Sequence, residues 1–416
     1  MNVSSLRRVL RVGPVSAPLN ADEASSTKES IMRIGGLLRV LGACLLLAVC
    51  FTTNALSQPE PVPRMRDRAL DKASYVALAN QWREYIEKHG ETANALVNLG
   101  MAQRYSSELE AAKRAGKRAV ELEPDNPKAL DFYAECIMLD GGADEAEKLL
   151  ERSRTIDPDY GEALMSLAAL YLRFGKFEKA TATLKAMFDR RIISRPLQDF
   201  AYNMLIGLPT GAVLITNGDN DTFPPLALQV GMDFRNDVVV INWTLLRMPE
   251  YVDALRREHA FLKSAERSKT GTAAEDPHAL VAQWIKDQKV PLYIAVTVSE
   301  ERLKELGLKP DPAIEEGLSR RVAGKGLTAE EAARLVLERF RLDSATDWDF
   351  AWDLTPTASK VMMINYVSSM VNLAQRDGVP ADLKCRLLGR AAAIAEFHHL
   401  STEAQVKALL KKCEAK

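Results

Sequence analysis

A period of 34 residues governs the first half of this 416-residue chain. Pro124 and Pro158 lie 34 apart, and the same register superposes Leu96, Leu130 and Leu164, then Gly100, Ala134 and Ala168, then Ala112, Ala146 and Ala180. A period of this length is one helical hairpin stacked on the next. Two antiparallel helices nest at short axial distance only where the facing side chains are small, while Leu99, Tyr133, Leu167 and Tyr171 fill the space beside the contact. Proline after each second helix stops it and turns the chain into the next unit. Three units run from Ala93 to Asn126, Pro127 to Tyr160 and Gly161 to Ser194, the last with Ile192 where the proline is expected. Residues 69–88 read as a helix capping the front of the stack, and Pro196 to Leu205 as one capping the back.

A small residue in the first helix set against an alanine in the second resembles the tetratricopeptide repeat, and the resemblance implies a concave face, made by the first helices, that binds a protein or peptide. That face carries Asn94, Val97, Met101, Arg104, Tyr105, Glu135, Met138, Met165 and Arg173. Of these, Met101, Arg104, Tyr105, Glu135, Met138, Met165 and Arg173 are the peptide-binding candidates. Chaperone-tail binders of the family hold a terminal carboxylate in a clamp of Lys and Asn, but Val97 and Met101 stand where the first of those residues fall. Methionine and tyrosine suit an adaptable apolar ligand. The methionines read equally as core.

The N-terminus has the pattern of an export signal. After Met32 come Arg33 and Arg39, twelve mostly apolar residues from Val40 to Phe51, and a polar segment ending Ala55-Leu56-Ser57. A basic start, a short apolar core and small residues before the cut predict cleavage between Ser57 and Gln58 and a periplasmic or envelope location. Twelve residues are too few to cross a bilayer of about 30 Å; an uncleaved anchor is the alternative, because the apolar run extends back to Ile34. The first 31 residues read as a start codon placed too early. Cleavage changes the net charge from −1 to −4 and leaves Cys136, Cys385 and Cys413, an odd count that predicts buried, unpaired thiols. So small a charge argues against a nucleic-acid binder that blankets phosphates.

From Gly211 the pattern changes to apolar runs alternating with helical stretches. Ala212 to Thr216, Val238 to Asn242 and Pro291 to Val298 read as strands, separated by helices at Pro224 to Val230, Pro249 to Leu262 and Pro277 to Asp287. Such alternation predicts parallel βαβ units, and ligands of open parallel sheets bind outside the carboxyl ends of the strands. Three segments meet there: Asn217 to Thr222, Trp243 to Arg247 and Ser299 to Glu301. The ligand-binding candidates are therefore Asn217, Asp219, Asp221, Asn242 and Arg247. Asp219 and Asp221 form an Asp-x-Asp pair, the arrangement in which two close carboxylates share a divalent metal and, through it, a diphosphate. The same stretch reads as a turn, with Asp221 or Thr222 capping a helix entered through Pro224.

Thr216-Asn217-Gly218-Asp219-Asn220-Asp221-Thr222-Phe223-Pro224, with Leu228-Gln229, Asp237 to Asn242 and Leu245-Leu246, resembles the soluble C-terminal part of a family of multi-pass membrane proteins related to protein O-mannosyltransferases. Pro291 to Ala295, Glu316-Gly317-Leu318 and Asn365-Tyr366 extend the similarity, which runs roughly from Leu208 to Ala374. The resemblance implies an accessory domain and a membrane glycosyltransferase as partner. Pro225-Leu226-Ala227 stands where the family has an aromatic after the proline.

No other motif assembles a catalytic set. Gly324 to Ala329 approximates a dinucleotide fingerprint, yet Thr328 with Glu331 makes a capping box for a helix running to Phe340. The five histidines contain no HExxH pair. Asp347, Trp348, Asp349, Trp352 and Asp353 form an acidic aromatic cluster that reads as packing a loop onto the core, the alternative being stacking on a sugar or peptide. Helices at Lys360 to Leu373, Ala381 to Phe397 and Thr402 to Cys413 complete the chain. The expected architecture is a signal segment (1–57), a linker (58–68), an α-solenoid of tetratricopeptide repeats (69–206), an α/β domain with a small parallel sheet (207–345) and a C-terminal helical segment (346–416). The expected function is an exported protein- or peptide-binding scaffold; the alternative is a metal-dependent ligand binder or glycosyl-transfer-associated enzyme using the Asp219/Asp221 crevice.

Overall fold

The computed structural model describes residues 58–65, 67–138, 140–262, 276–287, 290–308, 314–347 and 356–415. The signal segment and residues 348–353 of the acidic aromatic cluster lie outside them. Among the described residues no helix is long and apolar enough to cross a membrane.

Helix α1 (Lys72–His89) starts where Asp71 accepts the Ser74 N–H at 2.7 Å. It leads three hairpins: α2 (Ala93–Tyr105) with α3 (Leu109–Leu122), α4 (Pro127–Met138) with α5 (Ala143–Ile156), and α6 (Gly161–Arg173) with α7 (Phe177–Asp189). The first helices begin at Ala93, Pro127 and Gly161, the three unit starts of the 34-residue register. Their small residues are the contact points. Ala112, Ala134, Ala146 and Ala168 are wholly buried, and a Cβ on Gly100 would stand 2.4 Å from the Phe132 ring. Ile192 replaces the third proline and packs against Gly161, while Arg191 makes the turn with φ of 57°. Helix α8 (Arg195–Ile206) closes the stack, capped by Ser194.

The α/β part contains β1 (Val213–Thr216), α9 (Asp219–Met232), β2 (Val239–Asn242), α10 (Pro249–Glu258), α11 (Pro277–Asp287), β3 (Leu292–Ala295), α12 (Glu300–Glu305) and β4 (Ser319–Ala323). Strand order is β2-β1-β3-β4. The three expected strands are parallel, with Val213 opposite both Val239 and Leu292. The fourth was not expected and makes the sheet mixed, since β4 runs antiparallel to β3, with Ala295 opposite Ser319. Arg320 and Arg321 are half-exposed on this edge, so β4 has neither the apolar run of a buried strand nor clean alternation.

Successive residues of the sheet feed two cores. Leu214, Val240 and Tyr293 join the core that includes α6, α7 and α8, whereas Val213, Ile215, Ile241, Leu292 and Ile294 pack with α10 and α11. Helix α13 (Ala329–Arg334), with the expected Thr328–Glu331 capping box, continues through a π-helical turn to Arg339. Helices α14 (Pro356–Gln375), α15 (Ala381–Phe397) and α16 (Glu403–Glu414) pack beside the repeats, with the Tyr366 ring edge-on to Phe200 at 5.4 Å and its hydroxyl 2.6 Å from Asn203 Nδ2. One apolar core therefore runs from Ala134 to Val406, across the expected boundaries at 206 and 345.

The cysteine expectation needs correction. Cys385 on α15 and Cys413 on α16 form a disulfide, and among the described residues Cys136 is the one free thiol, buried and pushed by that burial up to about 12. Two antiparallel helices brought the sulfurs together, which a spacing of 28 residues does not announce. Reduction of this bond is expected to lower stability by about 3 kcal/mol through loop-closure entropy; thermal melts with and without reductant read it, and a Cys385→Ser/Cys413→Ser chain should no longer respond. Gly100→Val is expected to cost about 1–3 kcal/mol by overpacking against Phe132, seen as a lower urea midpoint at unchanged slope.

Candidate functional site

Two of the polar clusters among the described residues fall where the sequence places candidate binding residues. In the open sheet the chain leaves β1 for β2 on one side and returns past β1 to β3 on the other, so the switch point lies between the carboxyl ends of β1 and β3. Asn217 and Asp221 stand there with Asn242 at the end of the neighbouring β2, and the chain itself takes up the hydrogen bonds of these three. Helix α9 starts at Asp219, five residues before Pro224, with both acids in its positive first turn. Asp221, 2% exposed, accepts the Asn217 N–H at 2.7 Å and the Gly218 N–H at 2.8 Å, together with the Thr297 hydroxyl from beyond β3. Burial pushes its carboxyl above the usual range, against those three donors, which favour the charged form.

Asn242 is equally engaged. Its Oδ1 accepts the N–H groups of Thr244 at 2.8 Å and Leu245 at 3.1 Å, capping the 3₁₀ turn Thr244–Arg247. Its Nδ2 donates to Thr222, whose hydroxyl lies 2.6 Å from that of Thr216, which in turn donates to the Ile241 carbonyl. Arg247 is exposed at the end of that turn. The cation that reaches the loop is Arg302, donating to Asn217 Oδ1 with its guanidinium 5.7 Å from the Trp243 ring centre. It follows directly on the Ser299-Glu300-Glu301 segment expected to line the crevice. As a metal site the arrangement fits poorly. Both Asp221 oxygens face the chain's own donors, and among the described residues no three His, Cys, Asp or Glu side chains gather to hold an ion. The Asp-x-Asp stretch fits its other reading, a helix start, with Asp221 at the third helical position rather than at the cap.

The second region is the concave face of the repeats, along which residues 60–64 of the expected linker lie. The Val62 N–H donates to Asn98 Oδ1 at 2.9 Å, and Trp82 Nε1 donates to the Glu60 carbonyl at 3.2 Å. Val62, 5% exposed, packs in the cluster of Tyr75, Trp82, Val97 and Met101. The Arg64 guanidinium enters a ring of three carboxylates: Nη2 pairs with Asp131, Nη1 with Glu135 and Nε with Glu162 at 2.7 Å. Arg104 reaches the other oxygen of Glu135 at 2.8 Å, and Ser166 donates to Glu135 at 3.3 Å.

Of the expected peptide residues, Arg104 and Glu135 are thus in the network, Met101 is core, and Tyr105 packs on Tyr75 at 4.9 Å. Met138 and Met165 are half-buried further along the stack, and Arg173 lies 5.8 Å from the Phe174 ring centre. Asp131 and Glu162 were missed, although the 34-residue register carries Val97 to Asp131 and, in two steps, Asn94 to Glu162. Arg64 had no sequence signal, because a proline-rich stretch before the first helix reads as linker.

Comparison with known proteins agrees with this division. Residues 138–190 match the family described as tetratricopeptide repeat, and residues 197–268 match TMEM260-associated domain 2, which covers β1, the Asp221 turn and β2. No curated protein matches the sequence. A chain in the structure of Naa15/Naa10 bound to HypK-THB is similar over 82% of this chain, at 17% identity and a TM-score of 0.28; the shared part is 47% of that chain, so this one spans about half its length. The repeats support a protein-binding scaffold.

Asp221→Ala is expected to cost about 2 kcal/mol, because three donors lose their acceptor. Urea unfolding measures it, and neither wild type nor variant should gain stability from Mg²⁺ or Mn²⁺; a metal response confined to the wild type would restore the shared-cation reading.

Proposed function

We propose that this protein is an exported scaffold of the cell envelope whose repeat groove binds an extended protein segment, with the TMEM260-associated domain as a second recognition surface facing a membrane glycosyltransferase. The observation that carries the reading is the groove itself, which already holds an extended, proline-rich segment by main-chain hydrogen bonds, a buried valine and a paired arginine. These are the means by which grooves hold peptides in general. Export is supported by the signal pattern before Gln58 and by the Cys385–Cys413 disulfide, a bond at home in an oxidising compartment. The glycosyltransferase partner is supported by the resemblance carried by Gly218 to Pro224 and by the second family match.

A photocrosslinking residue placed at Met165, in the groove, and at Ile156, 40% exposed on the second helix of its repeat, tests this in intact cells. Discrete adducts are expected from position 165 and none from 156, in the envelope fraction, on a chain beginning at Gln58. The same adducts from both positions, or a cytosolic chain that keeps residues 1–57, would sink the proposal.

A further inference from the structure

We propose that the groove reads arginine in extended peptides, and that residues 60–65 are its resident ligand, exchangeable for a partner segment with the same apolar-x-Arg chemistry. This rests on the groove being the protein-binding face.

The segment has the composition of a ligand. Pro59, Pro61 and Pro63 alternate with Glu60, Val62 and Arg64, so φ is preset at every second residue and little conformational entropy is lost on docking. Side chains two apart on an extended chain point the same way. Val62 and Arg64 turn into the groove, while Pro61 and Met65 are exposed. Val62 N–H, one of the few donors such a chain keeps, is the one that meets Asn98.

The groove has the complementary chemistry. Asp131 is wholly buried, the Glu135 side chain is 10% exposed and that of Glu162 is 24% exposed. Arg104 bonds Glu135, and Arg64 supplies a separate nitrogen to each of the three acids. An ammonium cannot reproduce that planar, three-way fork, so the site selects arginine over lysine. Half-buried Met138, Met165 and Arg173 continue the face beyond the acids, where a longer partner segment would extend. A tethered ligand competes at an effective concentration on the order of millimolar, so a free peptide binds wild type weakly and a strap-impaired variant well.

Fluorescence anisotropy of a labelled peptide with the sequence of residues 58–68, titrated with the full chain, tests this. Val62→Asp and Arg64→Ala, each of which weakens the strap by a different contact, are expected to bind the peptide at least tenfold more tightly than wild type. Should Arg64→Ala not fold, Val62→Asp carries the comparison. A peptide bearing Arg64→Lys is expected to bind at least tenfold more weakly. Folded variants that bind no better than wild type would show that the strap is not an exchangeable ligand. Equal binding of the lysine peptide would remove the arginine selectivity. A concentration-dependent dimer by light scattering, with straps exchanged between copies, would overturn the resident assignment. If groove adducts form at Met165 while the peptide fails, only the arginine inference falls; if neither is seen, the scaffold reading falls with it.

Discussion

A stack of helical hairpins has an apolar surface at each end, and the rest of this structure follows from how those two ends are covered. At the front, α1 lays Tyr75, Ala79 and Trp82 against α2, and Val62 of the strap completes the same cluster. At the back, α8 offers Phe200, Met204 and Leu205 to a core shared with Leu214 and Tyr293 of the sheet and with Tyr366 and Met370 of α14. The sheet is held between this core and the cluster under α10 and α11, so its parallel strands are buried on both faces. What the sequence divides into a solenoid, an α/β domain and a helical tail is joined by contiguous packing.

That arrangement assigns different tasks to the two polar regions. At the switch point of the sheet, hydrogen bonds run from Thr297 to Asp221, from Arg302 to Asn217 and from Asn242 through Thr222 to Thr216. They tie together the ends of β1, β2 and β3 and the start of α9, and a crevice spanned in this way holds the fold. The groove instead gathers three carboxylates, with which Arg104 and a residue from an irregular segment pair. Removing one member of such a buried cluster is more costly than its net contribution, because the remaining charges lose their partner in a poorly solvated place. Charge thus holds the strap in register, while Val62 supplies its apolar contact.

The repeat, its unit starts at Ala93, Pro127 and Gly161, and the helices α11 and α15 were legible because helical periodicity, proline stops and caps act within a few residues of the chain. The three core strands were legible as apolar runs. Strand β4 was not, because Arg320 and Arg321 belong there only as an edge, and being an edge is a property of the assembled sheet. The start of α9 was placed five residues late. Pro224 suggested a first helical position, whereas Asp221 draws the chain into a helix earlier by accepting the N–H groups of Asn217 and Gly218.

Sequence alone determined the solenoid, the concave face and the Asp-x-Asp turn as the places where chemistry could occur, since each is written in local spacing. Only tertiary structure decided which acids surround an arginine, which cysteines pair, and that residues 60–64 lie in the groove. Asp131, Glu135 and Glu162 come from two helices, and Arg64 is 67 residues from Asp131, a distance over which no pattern along the chain sets one charge beside another. Cys385 and Cys413 likewise meet only because α15 and α16 fold back on each other. Long-range contacts of this kind are set by packing, which acts on the folded chain as a whole.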